Sequence, residues 1–462
     1  MIQTAPHLIN FAYFIAALLF ITGLRQISSP KTARSGIWLA GVGMVAAIVA
    51  TFVHPQVASN HVLILIAIAI GGGLAFLQAR SVPISNMPEM TAIYNGLGGA
   101  AAAGIAVIVL LNVSEHRVSA RAVAVLGGMI GCITFAGSFM AWAKLKRIIS
   151  KQHRFANRQV SYVALGAIVL MMGLLLATST TVHPILLLVF FVLSLSFGVM
   201  MTLPIAAADL PVLISLYNAM TGLAVAFEGY VLANPAMIVA GMLVCAAGVL
   251  LTRLMANAVN RRLSEIMYSG FGISHSDSAE PAKRNNVNEI DAFDSAISMA
   301  YAERVVIVPG YGMASAQAQH KVQELTQLLE ERGVDVRFAI HPVAGRMPGH
   351  MNVVLAEAGV PYEKIADLSE INPEFSKVDV VLVIGANDIV NLAARSDTKS
   401  PLHGMPILDI DNAGSVLVLK RGDGAGYAGV DNPLMQHPKT RVLLGDAKRS
   451  VQDLISAIKT LD

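Results

Sequence analysis

The chain has 462 residues, 55% hydrophobic and 14% charged, which is too apolar for a protein built only of soluble domains. Charge divides it: residues 1–262 carry 15 Lys+Arg against four acids (Glu89, Glu115, Asp209, Glu228), and residues 263–462 carry 18 against 26. The basic excess travels with the apolar half, a membrane signature that gives no reason to invoke nucleic acid.

The two cysteines, Cys132 and Cys245, sit inside apolar runs as packing residues, without disulfide or metal spacing. Nine apolar runs predict membrane spans at about 8–24, 36–53, 61–78, 89–112, 121–143, 160–180, 184–205, 210–233 and 235–257. Each approaches the ~20 residues a helix needs to cross ~30 Å of hydrocarbon. The first run reads as a span and not as a cleaved signal. One set of connecting loops holds thirteen Lys and Arg, the opposite set only Arg117 and Arg121. That asymmetry places the first set in the cytoplasm, the N-terminus outside and the C-terminal half inside.

Two of the runs repeat a pattern. Pro88, Tyr94-Asn95 and Gly99 recur as Pro211, Tyr217-Asn218 and Gly222, with Asn86 matched by Asp209. Further on, Gly128 and Cys132 recur as Gly241 and Cys245, as expected of a parallel internal repeat. Asn95 and Asn218 lie seven residues past the entry prolines, roughly 10 Å into the bilayer. Two readings stand for them: amides that join helices, or amides that line a watered proton path. Asp209 at the cytoplasmic mouth is either a titrating carboxylate or a solvated loop acid. Glu89 favours a helix N-terminus. Glu228 is expected to snorkel or cap near the outer face, with a proton-exit role as the sharper alternative.

After Arg262 the apolar pattern stops. Residues 263–290 form a linker rich in Gly, Ser, Asp, Asn and Lys, and residues 291–462 a second domain. A short helix is predicted over 292–302. Strands follow at 305–308, 335–340, 362–365, 379–384, 406–410, 415–420 and 441–445, with helices at 313–332, 350–358, 388–395 and 447–460. This alternation predicts a doubly wound parallel sheet, Rossmann-like, behind a polytopic α-helical membrane domain.

Ligands of such sheets bind at the carboxyl ends of the strands. The residues there are Gly310-Tyr311-Gly312 with Met313 and Ala314, the run His341 to His350, Gly385-Ala386-Asn387-Asp388, Lys420-Arg421, and Gly445-Asp446-Ala447. The Gly-x-Gly turn is expected to offer bare backbone and a helix N-terminus to a phosphate, although Ser315 holds the place of the usual third glycine. The second strand ends Ala339-Ile340-His341, without the acid that holds a ribose diol. Lys420 and Arg421, a point charge beside a bidentate fork, suit a phosphomonoester and so favour NADP(H). Residues 422–429 carry four glycines and Tyr427 and suit a lid. No nucleophile–base pair and no metal cluster is evident, so a cofactor must supply the chemistry.

Together Pro309 to Ala314, His341 to Asn352, Gly385 to Asp388, Lys420-Arg421 and Gly426 to Gly429 resemble the beta subunit of the proton-translocating NAD(P) transhydrogenases, over the whole chain. The resemblance implies Si-specific hydride transfer between NAD(H) on a partner alpha subunit and NADP(H) bound here, coupled to proton movement into the cytoplasm. It also implies a dimer of alpha–beta units in the lipid bilayer of a bacterial inner membrane. In the family the Gly310–Ala314 turn touches NADP(H), which lies reversed relative to ordinary dinucleotide folds. Val343, Ala344, Gly345, Arg346, Met347 and Pro348 line the phosphates, Lys420 and Arg421 hold the 2′-phosphate, and Tyr427 folds over as a lid. Asp388 links redox state to protonation. Ile389, Gly404, Met405, Gly422, Gly426, Asp446 and Ala447 complete the implied cofactor set, and Asp209, Asn95 and Asn218 the proton path. Three departures stand out: Asn95 where some members have His, Gly422 where Ser is common, and Ile389 and Leu392 where Thr and Pro are frequent. The rival class is a transporter or channel regulated by NADP(H) without hydride transfer.

Overall fold

The computed structural model describes residues 5–27, 32–54, 57, 60–83, 86–112, 117–146, 148–149, 158–179, 182–205, 209–258, 263, 288–346, 349–398, 400, 402–422, 426 and 428–461. It divides into two compact units, Met1–Ile205 with Val212–Thr252, and Ala206–Pro211 with Arg253–Asp462. Nearly all of the expected 263–290 linker lies outside the described residues, as do Met347, Pro348 and Tyr427.

Among the described residues nine helices are long and apolar enough to cross a membrane. They are α1 (Ala5–Ile27), α2 (Ala33–Phe52), α3 (His61–Ser81), α4 (Met87–Leu111), α5 (Val118–Leu145), α6 (Arg158–Thr178), α7 (Pro184–Thr202), α8 (Leu210–Val231) and α9 (Pro235–Ala258). Their faces are hydrophobic all round, so sequence periodicity does not choose which side packs. Glycine does. A Cβ on Gly99 would fall 2.7 Å from the Gly131 carbonyl oxygen, and one on Gly222 would fall 2.8 Å from that of Gly241. The α4–α5 and α8–α9 hairpins therefore close through similar small-residue contacts, although the partner on α5 is Gly131 and not Gly128, the residue that the sequence repeat matched to Gly241. Gly98 of α4 faces the Thr221 methyl of α8, and these two positions are themselves repeat-related.

Buried polar groups pin the helix ends. The Lys144 ammonium donates to the carbonyls of Thr202, Leu203 and Ile205, filling orphan acceptors past the C-terminus of α7. Arg121 likewise donates to the Ser179 carbonyl.

The second unit opens with α10 (Ala292–Ala300), whose N-cap Asp291 accepts from the Asp294 N–H at 2.7 Å. Six strands follow: β1 (Arg304–Pro309), β2 (Asp335–Ile340), β3 (Ile365–Asp367), β4 (Val380–Ile384), β5 (Ser415–Lys420) and β6 (Thr440–Leu444). All neighbouring pairs are parallel, in the order β3-β2-β1-β4-β5-β6. Helices α11 (Tyr311–Ser315), α12 (Gln319–Glu331), α13 (His350–Glu357), α14 (Leu368–Ile371), α15 (Ala393–Ser396) and α16 (Ala447–Lys459) connect them. Val305 to Val308 are wholly buried, the continuous apolar run of a strand covered on both faces. Each such side chain contributes about 1.5–3 kcal/mol on burial. Residues 288–290 bridge to Val442 of β6, so the unit takes up the chain before residue 291.

Three sequence expectations are corrected. The helix expected over 313–332 is two helices, because Gln317 adopts φ +51° and the Ala318 N–H returns to the Met313 carbonyl. The segment expected as a helix over 388–395 is a 3-10 turn at Asp388–Val390 followed by α15. The strand expected over 406–410 does not form: Pro406 has no N–H, the Leu408 N–H goes to the Ile389 carbonyl, and Asn372 binds the Ile407 carbonyl. Ile407 packs instead with Ala394, Leu402 and Met405.

Candidate functional site

The strand order reverses between β1 and β4, and the turns leaving those two strands meet there. They interlock backbone to backbone. The Gly310 N–H donates to the Ile384 carbonyl and the Gly312 N–H to the Gly385 carbonyl, both at 2.9 Å. A Cβ on Gly312 would lie 2.6 Å from the Gly385 Cα. Gly385 itself has φ +65° and would place a Cβ 2.4 Å from the Gly312 Cα. The Met313 N–H turns back to the Gly310 carbonyl. These three amides are thus spent within the protein. In this structure the two glycines serve the contact between the two turns.

Asp388 follows on the β4 side. Its Oδ1 accepts from Asn387 Nδ2 and its Oδ2 from the Ala428 N–H, each at 3.0 Å. Gly426 (φ +76°) passes so close that a Cβ would sit 2.2 Å from Asp388 Oδ1. Asn432 Nδ2 donates to the Asn387 carbonyl, and Asn391 Nδ2 to that of Asp431, both at 3.3 Å. The glycine-rich segment is therefore fastened to the Asp388 turn by a carboxylate and two amides. Its aromatic, Tyr427, lies outside the described residues. Ile389 is buried beneath the turn.

At the end of β2 two buried histidines hold the next loop. His341 Nδ1 accepts the Val343 N–H at 3.2 Å and its Nε2 donates to the Pro406 carbonyl at 2.7 Å, an arrangement that requires the neutral Nε2–H tautomer. Burial lowers its pKa to about 4. His350 opens α13 with its Nδ1 accepting the Arg346 N–H at 3.0 Å, so its Nε2 bears the proton. That Nε2 is buried and has no partner among the described residues. Burial, and then the Arg346 charge, push this imidazole down to about 4 as well. Arg346 lies over the Tyr311 ring, 4.2 Å from its centroid. Gly345 (φ +109°) leaves the room that His350 occupies, since a Cβ would fall 2.5 Å from Nδ1. Ala344 is buried and Val343 half-buried.

Lys420 ends β5 half-buried, and Arg421 and Gly422 beside it are exposed. Neither cation forms an ion pair with any described residue. The Lys420 carbonyl accepts the Gly445 N–H, which brings the β5 and β6 ends together. Asp446 caps α16 by accepting from the Lys448 and Arg449 N–H groups, and Ala447 is the first helical residue. Gly404 (φ +76°) donates to the Ala394 carbonyl, and Met405 is buried with Ala394, Leu402 and Ile407.

Of the membrane-unit candidates, Asn95 is buried and donates through Nδ2 to Ser138 Oγ at 3.0 Å, while Asn218 is half-buried. Asp209, which falls with the second unit, is buried. Glu228 is fully buried, so it neither snorkels nor caps. Ser138, Asn391 and Asn432 were not singled out from sequence. Their partners lie far along the chain or are backbone atoms, and no local signal marks them.

Helices long and apolar enough to cross a membrane, followed by a six-stranded parallel sheet whose strand order reverses between β1 and β4, define an integral membrane protein carrying a Rossmann-like fold. The family model described as NAD(P) transhydrogenase beta subunit matches residues 9–457. A protein named NAD(P) transhydrogenase subunit beta, from Rhodospirillum rubrum, is 41% identical over 457 residues, 97% of this chain and 98% of that one. The protein of the same name from a particular strain of that species gives the same figures. The chain belongs to the NAD(P) transhydrogenase beta subunit family.

Proposed function

We propose that the C-terminal unit binds NADP(H) and that the chain works with an NAD(H)-binding alpha subunit, a hydride passing between their two nicotinamides. In this reading the membrane unit carries protons into the cytoplasm, the N-terminus faces outside and the C-terminal unit lies in the cytoplasm of a bacterium. Two such alpha–beta units form the working dimer.

The observation that carries the reading is the charge left open at one sheet edge. Lys420 at the end of β5 and Arg421 after it form no ion pair with any described residue. The buried His350 Nε2–H has no acceptor among the described residues. A fork, a point charge and a neutral imidazole donor are the chemistry a nucleotide with an extra phosphomonoester calls for. Lys420 and Arg421 would hold the 2′-phosphate, with Gly422 supplying backbone only. The loop from Val343 to Pro348, fixed at its start by His341, would face the phosphates. Tyr311, Asp388 and the segment from Gly426 would close on the remainder, and Gly404, Met405, Asp446 and Ala447 would shape its rim. When bound, the nicotinamide supplies the hydride chemistry.

Asp388 does the switching on the protein side. Its carboxylate accepts the Ala428 N–H and holds that residue to the turn after β4. Asp209, Asn95 and Asn218 are the matching polar groups of the proton path. With hydride and proton transfer on different units, their coupling is conformational.

The test is to supply the chain with its alpha partner in vesicles, add NADH and an NADP analogue with a distinct reduced absorbance, and follow that absorbance with a pH-sensitive dye present. Reduction of the analogue with accompanying proton movement is expected. Nucleotide binding without exchange would instead establish a transporter or channel that senses NADP(H).

A further inference from the structure

The packed side of α5 is built of small residues: Gly131 lies close against Gly99, Gly128 against Ala106 and Gly137 against Tyr217. Another strip of the same helix is aromatic. Phe135, Phe139 and Trp142 follow one another at helical spacing, and Lys146 ends the strip just past the last residue of the helix. The ring centroids of Phe135 and Phe139 are 6.5 Å apart, and those of Phe139 and Trp142 4.9 Å. The Lys146 ammonium lies 5.4 Å from the Trp142 ring centroid. From Phe135 to Lys146 the strip covers ~16 Å of helix.

This strip is left open. Phe139 is 52% exposed, and Ile148 just beyond Lys146 is 64% exposed. Lys146 is exposed and forms no ion pair with any described residue. Lys144, by contrast, is buried and donates to the carbonyls of Thr202 and Ile205. The Trp142 indole N–H is buried and has no acceptor among the described residues. Charge along the chain agrees. Residues 144–158 hold six of the thirteen cations assigned to one side of the membrane, with no Asp or Glu among them, and no other connection on that side holds more than three. Such a cluster directly after a spanning helix attracts anionic lipid. An acidic protein surface would answer the charge but would set polar groups against Phe139 and Ile148. A phospholipid answers both, because its acyl chains, ester region and phosphate succeed one another in the order that the strip presents.

We propose that this strip binds an anionic phospholipid, an acyl chain lying along Phe135 and Phe139 and the headgroup phosphate held by Lys146 beside the Trp142 indole. The surrounding cations gather anionic lipid, and Lys146 selects the molecule that docks. The proposal stands apart from the nucleotide and proton readings.

The chain has two tryptophans, Trp38 and Trp142, so W38F leaves Trp142 as the reporter. Full-length W38F protein is reconstituted in phosphatidylcholine vesicles that contain a stepped fraction of brominated phosphatidylglycerol or of brominated phosphatidylcholine. Bromine quenches an indole that it touches. Half-maximal quenching is expected at an about fivefold lower fraction of the brominated phosphatidylglycerol, the effect of one cation near an anionic lipid. Adding K146Q should bring the two fractions together, K146R should keep them apart, and about 0.5 M salt should narrow the gap. Equal quenching by both lipids overturns the proposal and would assign the basic connection to an acidic protein surface. No quenching by either lipid overturns it too, as does a preference that K146Q leaves unchanged. If W38F fails to fold, detergent melting temperatures of wild type and K146Q with each unbrominated lipid decide the matter. Phosphatidylglycerol should raise the wild type alone, and an equal rise in both proteins overturns the site.

Discussion

Lowering the pH should loosen the C-terminal unit through His341, by an amount the structure sets. The folded imidazole sits at about 4 because it is buried, against 6.5 for the unfolded residue. Between those values the unfolded state binds the extra proton, so stability is complete above pH 6.5 and falls as the pH drops towards 4. From the two values the loss is about 2 kcal/mol at pH 5 and approaches about 3.4 kcal/mol below pH 4. In His341→Gln the amide still donates to the Pro406 carbonyl but has no proton to gain. Urea-dependent pulse proteolysis of the detergent-solubilised chain, read through a C-terminal tag, gives the stability of each protein at pH 7 and pH 5. The wild type should lose about 2 kcal/mol more than the variant over that interval. Equal losses would show that His341 can charge in place, and the reasoning from its burial and its two backbone partners would fail.

Glycine offers a paired contrast. Gly385→Ala should cost about 2–5 kcal/mol by the same proteolysis, from a left-handed φ and a Cβ 2.4 Å from the Gly312 Cα, whereas Gly422→Ala, with nothing within 4 Å, should cost less than ~0.5 kcal/mol. Removing either cation, as Lys420→Gln or Arg421→Gln, should weaken NADPH binding by about 1.5–3 kcal/mol in calorimetry and leave NADH binding unchanged. A matching loss for both nucleotides would refute the 2′-phosphate assignment. Asp388→Leu removes the acceptor of the Ala428 N–H, so amide exchange at residues 428–432 should quicken by on the order of tenfold while β1 and β4 stay protected. Lys144→Met strips the donor from three carbonyls at and just past the C-terminal end of α7 and should lower the detergent melting temperature, with a cost of about 1–3 kcal/mol.

Much of this protein was legible in the chain itself. Apolar runs of spanning length, and strands such as Val305–Val308 buried on both faces, declare themselves through local composition. So do the paired cations Lys420-Arg421 and the repeated Pro, Tyr-Asn and Gly of α4 and α8. These signals are local because hydrophobic transfer and backbone propensity act residue by residue. What the tertiary structure alone decided were matters of partnership. It spent the Gly-x-Gly amides on the β4 turn, broke the following helix at Gln317, and drew residues 406–410 out of the sheet and into the core. It also tied the Gly426 segment to Asp388 and buried Glu228, expected at the surface, against Gly127. Each outcome turns on which distant group meets a given donor, acceptor or charge, and a sequence records the group without its neighbour.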